Sequence, residues 1–305
     1  MERENQRTEG AEMERRLEYR VTEEQKVDEI LRKTLHCSSA VIRTAKGYPD
    51  GILLDGIHAT TAQTARPGQV LSILLSDRTD GELVPAAGPL DIVHEDMDIL
   101  IVNKAAGVAV HPGPGHFDDT LGNFLTEYYK IKGIPFLYRP VHRLDRNTSG
   151  LMVAARHAHA QELLKGQLHT GDFHREYLAV CQGVPPRAEG VVDQPIGRED
   201  GSVLRREVRP DGARAVTRYQ VLREMDGRSL IRLELETGRT HQIRVHMAWL
   251  GCPLVGDFLY GVEDKALIGR TALHSWRLSL TQPLTGERLE LEAPLPEDMA
   301  ALIRR

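Results

Sequence analysis

The order of strand-like and helix-like segments limits the fold of this chain more than any other feature of the sequence. Amphipathic helix patterns occur around Leu121 to Tyr128, at 157–168 and between Thr240 and Leu250. Runs rich in β-branched and apolar residues lie between and beyond them, at 99–102, 151–155, 177–180, 215–221, 230–235 and 289–291. Because these runs do not alternate regularly with helices, we predict an α+β domain around a mixed, largely antiparallel sheet.

The first 90 residues predict a separate, smaller unit. Residues 1–20 alternate charges and read as a solvated tail that is at most loosely helical. Within 21–77, helical spacing of Val27, Ile30 and Leu31 precedes an Asp55-Gly56 hairpin signal and a further strand. Residues 78–90 are rich in glycine and proline, which is typical of a linker. The larger catalytic domain is therefore expected at 91–305.

Composition is that of an ordinary globular protein, with 41% hydrophobic and 27% charged residues in 305. No run approaches the roughly 18 apolar residues of a membrane helix, and the charged N-terminus is unlike a secretory signal. We therefore expect a cytoplasmic protein without a membrane partner, and a monomer. The 3 cysteines are far apart, and the histidine spacings match no metal motif, so neither a disulfide framework nor a metal site is predicted.

Overall charge argues mildly against a nucleic-acid partner, since 39 basic residues face 44 acidic ones. The local distribution differs from the average. Between 137 and 175 the basic residues outnumber the acidic ones; they are Arg139, Arg143, Arg146, Arg156, Lys165 and Arg175, against Asp145, Glu162 and Asp172. A locally positive stripe is therefore expected around this segment.

The segment 142–150, with the sequence H-R-L-D-R-N-T-S-G, is the sharpest candidate for chemistry. Asp145 stands between Arg143 and Arg146 in a polar turn, and neighbouring cations favour the ionised carboxylate that a nucleophile requires. The residues alone leave a second interpretation open and favour it: a plain turn in which Asp145 binds the backbone amides that follow.

The motif H-R-L-D followed by T-S-G resembles the signature of the RluA-type pseudouridine synthases. Residues 91–113, 238–247 and 256–261 resemble further blocks of this family in the same order, so the likeness covers about 90–297. In the first unit, L-L-D-G-I and R-P-G-Q-V resemble a small RNA-binding module shared with a small-subunit ribosomal protein. That module usually displays several basic residues on its second helix, whereas this chain offers Arg43 and Lys46.

The resemblance implies an enzyme that isomerises chosen uridines in structured RNA, with Asp145 as its catalytic carboxylate. It also implies that Arg143 helps to expel the target base from its stack, so that the base is flipped into a pocket. The family's active-site tyrosine falls on Tyr177. Arg175 stands where the family usually has lysine, and the two side chains are not interchangeable.

Two further positions follow from the same resemblance. The basic residue that pairs with the catalytic carboxylate falls on Arg239, and an apolar side chain that packs beside the base falls on Ile243. We expect Arg239 at the start of a helix with Ile243 one turn later on the same face. Tyr177 would assist removal of the proton from carbon 5 of uracil.

The implied partner is RNA, with large-subunit ribosomal RNA preferred because many two-domain members act there, and transfer RNA as the other possibility. No cofactor is expected because the product is an isomer of the substrate, and no nucleotide-binding loop occurs in the sequence. A glycosidase normally needs two carboxylates flanking the bond, which this segment lacks. A non-catalytic RNA-binding protein with the same architecture stays open as the alternative.

Overall fold

The computed structural model describes residues 14–304. Its first part contains a four-stranded antiparallel sheet in the order β1-β6-β3-β4 and a two-stranded sheet of β2 and β5. The strands are β1 (Arg16–Arg20), β2 (Gln25–Lys26), β3 (Ile52–Leu54), β4 (Ile57–His58), β5 (Thr64–Ala65) and β6 (Val70–Leu74). The helices are α1 (Val27–Glu29), which continues as a π-helical turn (Ile30–Thr34), and α2 (Ser39–Lys46).

Local chemistry explains two boundaries in this part. The Ser38 hydroxyl accepts a hydrogen bond from the Val41 amide at 3.3 Å and so caps α2. Asp55 and Gly56 both have positive φ, 50° and 78°, as a two-residue hairpin between β3 and β4 requires. The hairpin predicted at Asp55-Gly56 is confirmed.

The prediction of a solvated tail at 1–20 is wrong at its end, and its first 13 residues lie outside the described part. Arg16–Arg20 is strand β1, paired with β6 from Arg16↔Leu74 to Arg20↔Val70. Leu17 and Tyr19 alternate with charged residues and pack against the core of the first part. A period of two in a short charged segment therefore marked a strand.

The second part is built on a 10-stranded sheet. Its path is β12-β15-β16-β11-β17-β10-β8-β7, with β18 beside β17 and β9 beside β10. The strands are β7 (Ile92–Glu95), β8 (Ile99–Lys104), β9 (Arg139–Pro140), β10 (Ser149–Ala155), β11 (His174–Gln182), β12 (Glu189–Asp193), β15 (Val216–Met225), β16 (Arg228–Leu235), β17 (Leu273–Thr281) and β18 (Arg288–Glu292). Only β10 and β17 pair in parallel among these neighbours, so the predicted mixed, largely antiparallel α+β fold is confirmed.

Helices cover both faces of this sheet. They are α3 (Leu121–Lys132), α4 (Ala158–Thr170), α5 (Gln242–Trp249) and α6 (Glu297–Arg304), and a separate hairpin joins β13 (Ile196–Arg198) to β14 (Arg206–Val208). Alternate residues of β8 enter different cores: Leu100 packs with α3 and α5, whereas Ile101 packs with α4. No helix within residues 14–304 is both long enough and apolar enough to cross a bilayer.

Strand β17 and helix α6 are among the elements of the second part that were not predicted. Strand β17 lies between β10 and β11 near the middle of the sheet, and its first residues, including His274 and Ser275, are fully buried. Burial on both faces removes the alternation that would have marked it. Helix α6 escaped notice because Met299 and Leu302 are its only buried side chains.

Candidate active site

Asp145 lies in the loop between β9 and β10, and the backbone of that loop is held from several sides. The Thr148 amide donates to the Asp145 carbonyl at 3.0 Å, which closes the predicted turn. Arg146 and Gly107 exchange hydrogen bonds, since the Gly107 amide donates to the Arg146 carbonyl and Arg146 Nε donates to the Gly107 carbonyl, each at 2.9 Å. The Asp145 carboxylate takes no part in these backbone contacts and stays available for other partners.

Gly150 explains why the motif ends in glycine. Its φ is +109°, and a Cβ atom at this position would lie 2.2 Å from the carbonyl oxygen of Ser275 on β17. The close parallel pairing of β10 with β17 therefore depends on the missing side chain. Next to it, Ser149 Oγ and His274 Nδ1 lie 2.9 Å apart.

Lys104, the last residue of β8, holds the loop that carries Asp145 by hydrogen bonds to backbone carbonyls. Its ammonium donates to the carbonyls of Ala105, Val108 and Arg146 at 2.8, 2.8 and 3.1 Å. Burial lowers the pKa of Lys104 to about 7, although the negative charge of Asp145 opposes this effect. A buried cation thus ties the loop that carries Asp145 to the end of the central sheet.

The cation that pairs with Asp145 is Arg244, the third residue of α5. Arg244 Nη1 lies 3.1 Å from Asp145 Oδ2, and Arg244 Nε and Nη2 donate to Asp257 at 2.7 and 2.8 Å. Asp257 is fully buried. The predicted pairing of Asp145 with Arg239 is therefore wrong, and Arg244 is the site residue that the sequence analysis missed.

Arg239 is displaced from that role because α5 begins later than expected. The Gln242 side-chain oxygen accepts hydrogen bonds from the Arg239 amide and the Thr237 hydroxyl, both at 2.9 Å, so 237–241 forms a turn. Arg239 then precedes the helix and does not share a helical face with Ile243. Its Nε donates to the Arg214 carbonyl at 3.0 Å, and its side chain still lines the cavity beside Asp145.

His241 is a second residue that the sequence did not reveal. It has a φ of 59°, which is uncommon for a residue other than glycine, and its Nδ1 lies 2.9 Å from the Tyr260 hydroxyl. Its Nε2 lies 3.9 Å from Asp145 Oδ2. Burial lowers the pKa of His241, and the charge of Asp145 opposes that shift. The block at 256–261 supplies both Tyr260 and Asp257, so its closeness to the turn at 237–241 was the missing information.

A cavity of about 320 Å³ opens beside Asp145. It is lined by Val141, His142, Arg143, Asp145, Leu168, His169, Arg175, Tyr177, Leu235, Glu236, Thr237, Gly238, Arg239 and Thr240. A smaller recess of about 50 Å³ shares Arg143, Asp145, Tyr177 and Arg239 and adds Ile243 and Arg244. The structure thus brings all five predicted site residues around two adjoining spaces.

The three predicted site residues outside the ion pair have different environments. Arg143 is exposed, whereas Ile243 is 4% exposed and belongs to the main core as well as to the recess. Tyr177 lies on β11 opposite Ser275 of β17 and is buried. Burial raises the pKa of the Tyr177 phenol, and Arg175 nearby partly opposes this, so the phenol is neutral near pH 7.

Comparison with known proteins identifies the family of this chain. The sequence pattern described as RNA pseudouridylate synthase matches residues 98–249. A Bacillus subtilis protein named uncharacterized RNA pseudouridine synthase YjbO is 41% identical over 252 residues, which is 82% of this chain and 89% of that protein. Ribosomal large subunit pseudouridine synthase D of Escherichia coli is 41% identical over 250 residues, 77% and 76% of the two chains. A solved human structure, RNA pseudouridylate synthase domain containing 1, superposes with a TM-score of 0.57 at 27% identity over 70% of this chain and 86% of that one.

Proposed function

The chain belongs to the RNA pseudouridylate synthase family and is an isomerase that acts on RNA, and from this premise we propose that it modifies large-subunit ribosomal RNA with Asp145 as its catalytic residue. The observation that carries the proposal is the placement of the Asp145 carboxylate at the wall of a nucleoside-sized cavity, where the other acid, Glu236, is bound by Arg218. Arg244 binds Oδ2 of that carboxylate, and no described residue donates a hydrogen bond to Oδ1. Asp145 therefore has one oxygen fixed by the protein and one directed to a substrate.

The isomerisation needs a single carboxylate of this kind. The bond between ribose C1′ and ring nitrogen 1 breaks, the uracil turns, and a bond forms between C1′ and carbon 5. One proton leaves carbon 5 and nitrogen 1 gains one, so atoms and electrons balance within the nucleoside. The protein must therefore supply a nucleophile or base, a cation that orients it, and a surface that excludes water from the uracil ring.

Tyr177 and Arg143 suit the remaining tasks. The neutral, buried ring of Tyr177 offers an aromatic surface against which uracil can stack. Because its pKa is raised, the phenol is a poor base near neutral pH. We therefore assign Tyr177 a stacking role at the wall of the site in preference to a role in proton transfer. Arg143 is exposed at the mouth, where a cation can displace the base from its stack in RNA. Ile243 would contact the other edge of the ring from the recess.

The choice of ribosomal RNA is supported by relatives. Proteins named ribosomal large subunit pseudouridine synthase D from Escherichia coli, Yersinia pestis and Xanthomonas campestris are 40% to 42% identical to this chain over 250 or more residues. Target choice by such enzymes depends on the shape of an RNA loop, which side-chain identity at the cavity does not report. Transfer RNA is accordingly the other outcome of the test.

The experiment is a map of pseudouridines by carbodiimide adducts in cells that have or lack the gene. We expect one or more positions in large-subunit ribosomal RNA to lose the adduct when the gene is deleted. Wild-type protein should restore them and Asp145→Asn should not, while Asp226→Asn, in the exposed turn between β15 and β16, should restore them fully.

Each departure from this result has a separate meaning. Changes confined to transfer RNA would overturn the substrate proposal and leave the role of Asp145 intact. Restoration by Asp145→Asn would overturn that role. An unchanged map in every RNA would contradict both.

A further inference from the structure

Arg175 is a buried arginine to which residues 14–304 supply no anion. It lies on β11, two residues before Tyr177, and is 6% exposed. Its Nε is enclosed with no hydrogen-bond partner, and no described residue makes a hydrogen bond or ion pair with its terminal nitrogens. The other buried arginines differ, because Arg244 binds Asp257 and Arg270 binds Asp298. The guanidinium carbon of Arg175 lies 6.0 Å from the centroid of the Phe173 ring.

Arg175 lines the larger cavity together with Arg143 and Arg239, and that cavity holds more positive charge than its own acids neutralise. Asp145 is already bound by Arg244, and Glu236 is bound by Arg218 at 2.6 Å. Neither Arg143 nor Arg239 forms an ion pair within the described part of the chain. Three guanidinium groups therefore face one space without a carboxylate of their own.

Leaving a guanidinium buried and unpaired is unfavourable, so the cavity is built for an anionic guest. Uracil and ribose are neutral, and the anion that must accompany a flipped nucleotide is the phosphodiester on either side of it. We propose that Arg175 binds one of the two phosphates that flank the target uridine, with Arg143 and Arg239 closing the same phosphate site. Gly238 leaves space for the Arg175 guanidinium, because a Cβ atom at position 238 would lie only 3.3 Å from Arg175 Nη1.

An arginine at this position has a consequence that lysine would not have. The planar fork presents two N–H groups to two phosphate oxygens, whereas an ammonium presents a point charge. The phosphate contact would fix the backbone next to the nucleoside and thereby the direction in which uracil enters toward Asp145. The inference rests on the proposed function only in that a nucleotide of RNA occupies the cavity. It does not depend on whether that RNA is ribosomal or transfer RNA.

The test uses a stem-loop RNA that the full-length wild-type protein converts, whichever RNA supplies it. Three versions are made: one with all phosphates, and two in which the 5′ or the 3′ phosphate of the target uridine is an uncharged methylphosphonate. Conversion is measured for wild type, Arg175→Gln and Arg175→Lys. Arg277→Gln serves as the matched control, because Arg277 is exposed and pairs with Glu292.

For wild type and the control, we expect one of the two methylphosphonates to raise KM about tenfold, the effect of one charge-assisted contact. In Arg175→Gln the same replacement should raise KM by only about threefold, because the Arg175 contact is already lost while Arg143 and Arg239 still face the phosphate. Arg175→Lys should lie between them. Equal losses in wild type and Arg175→Gln, or no loss with either methylphosphonate, would overturn the proposal.

Folding is checked by circular dichroism, since Arg175 is buried. If Arg175→Gln does not fold, Arg175→Lys decides: a methylphosphonate effect as large as that of wild type would overturn the fork-shaped contact. Conversion of transfer RNA in place of ribosomal RNA would refute the proposed substrate and leave this comparison unchanged.

Discussion

Arg244 and Asp145 meet through a single N–H group, because the rest of the guanidinium is committed elsewhere. Two of the three nitrogens of Arg244 bind Asp257 at 2.7 and 2.8 Å, which leaves Nη1 to bind Asp145 Oδ2 at 3.1 Å. Arg244 is 5% exposed and Asp257 is fully buried. The Asp145 carboxylate is therefore oriented by a cation that is itself fixed by a second carboxylate.

The first prediction concerns this lock. Arg244→Lys keeps one positive charge but cannot serve both carboxylates, so Asp145 should lose its fixed orientation. We expect kcat to fall about a hundredfold, with Kd for RNA changed by less than about threefold, since misplacement of a reacting group by an ångström costs on this order. Release of tritium from RNA labelled at carbon 5 of uridine measures the turnover. Arg277→Lys is the surface control, and a variant with normal kcat would refute the lock.

The second prediction separates Arg239 from Arg244. Arg239 lines the cavity without an ion pair in the described structure, so its charge is available to RNA. We expect Arg239→Gln to weaken RNA binding and to reduce the slope of log Kd against log salt by about one, with kcat within about threefold of wild type. Fluorescence anisotropy at several salt concentrations measures the slope. A large loss of kcat with an unchanged slope would instead place Arg239 at the chemistry.

The sequence predicted the fold class, and it named Asp145 and Tyr177, which the structure places at one cavity. Both residues were named through the family resemblance of their segments, since the residues alone favoured a plain turn at Asp145. The turn before a strand and the apolar β-rich run are visible within a few residues. The whole candidate set of five lines the same two spaces. What a short segment determines by its own turn or alternation could thus be predicted.

The pairing of Asp145 with Arg239 was implied by the family resemblance, and it failed because a contact distant in sequence decides which arginine near the start of α5 meets Asp145. Gln242 closes the turn that delays α5, and helix starts are uncertain by a residue or two in any sequence reading. Arg244 looked like an interior residue of an apolar helix. Only the approach of Asp257 from another segment makes a buried arginine acceptable there.

The third prediction concerns the contact between Arg15, in the first part of the structure, and Asp98, in the second part. Buried Asp98 accepts hydrogen bonds from Arg15 at 2.7 and 3.0 Å, from His157 at 2.9 Å and from Gln282 at 2.7 Å. Arg15 precedes β1 in the first part, whereas the other three residues belong to the second part, which is built on the 10-stranded sheet. Arg15→Ala removes the guanidinium that binds the buried Asp98 carboxylate. We therefore expect the free energy of unfolding to fall by roughly 3 kcal/mol.

The effect of Arg15→Ala should depend on pH in a defined direction. Burial alone would raise the pKa of Asp98, but the hydrogen bonds from His157, Arg15 and Gln282 outweigh it and hold the pKa below its usual range. The stabilisation is then complete above the unfolded pKa of about 3.9 and is lost as pH falls toward the folded value. Urea unfolding should show the difference between wild type and Arg15→Ala shrinking below about pH 4. A difference that is constant from pH 7 to pH 3 would contradict this account.

The fourth prediction uses Lys104, whose folded pKa is lowered to about 7 by burial. A lysine in the unfolded chain titrates near 10.4, so between about pH 7 and pH 10 the unfolded state binds a proton that the folded state has released. The free energy of unfolding must therefore rise with pH in this window for wild type relative to Lys104→Met. Below about pH 6 both states are protonated and the difference should be flat. Urea titrations at pH 5.5, 7, 8.5 and 10 measure it.

The control for Lys104 is Lys165→Met, on the exposed side of α4, for which the difference from wild type should be flat throughout. A flat profile for Lys104→Met as well would mean that the ammonium keeps its proton in the folded state. Its three carbonyl partners would then have outweighed its desolvation. A rising profile would establish that the loop carrying Asp145 rests on a lysine that loses its charge just above neutral pH. Since Asp145 opposes the shift, Asp145→Asn should move the start of the rise to lower pH.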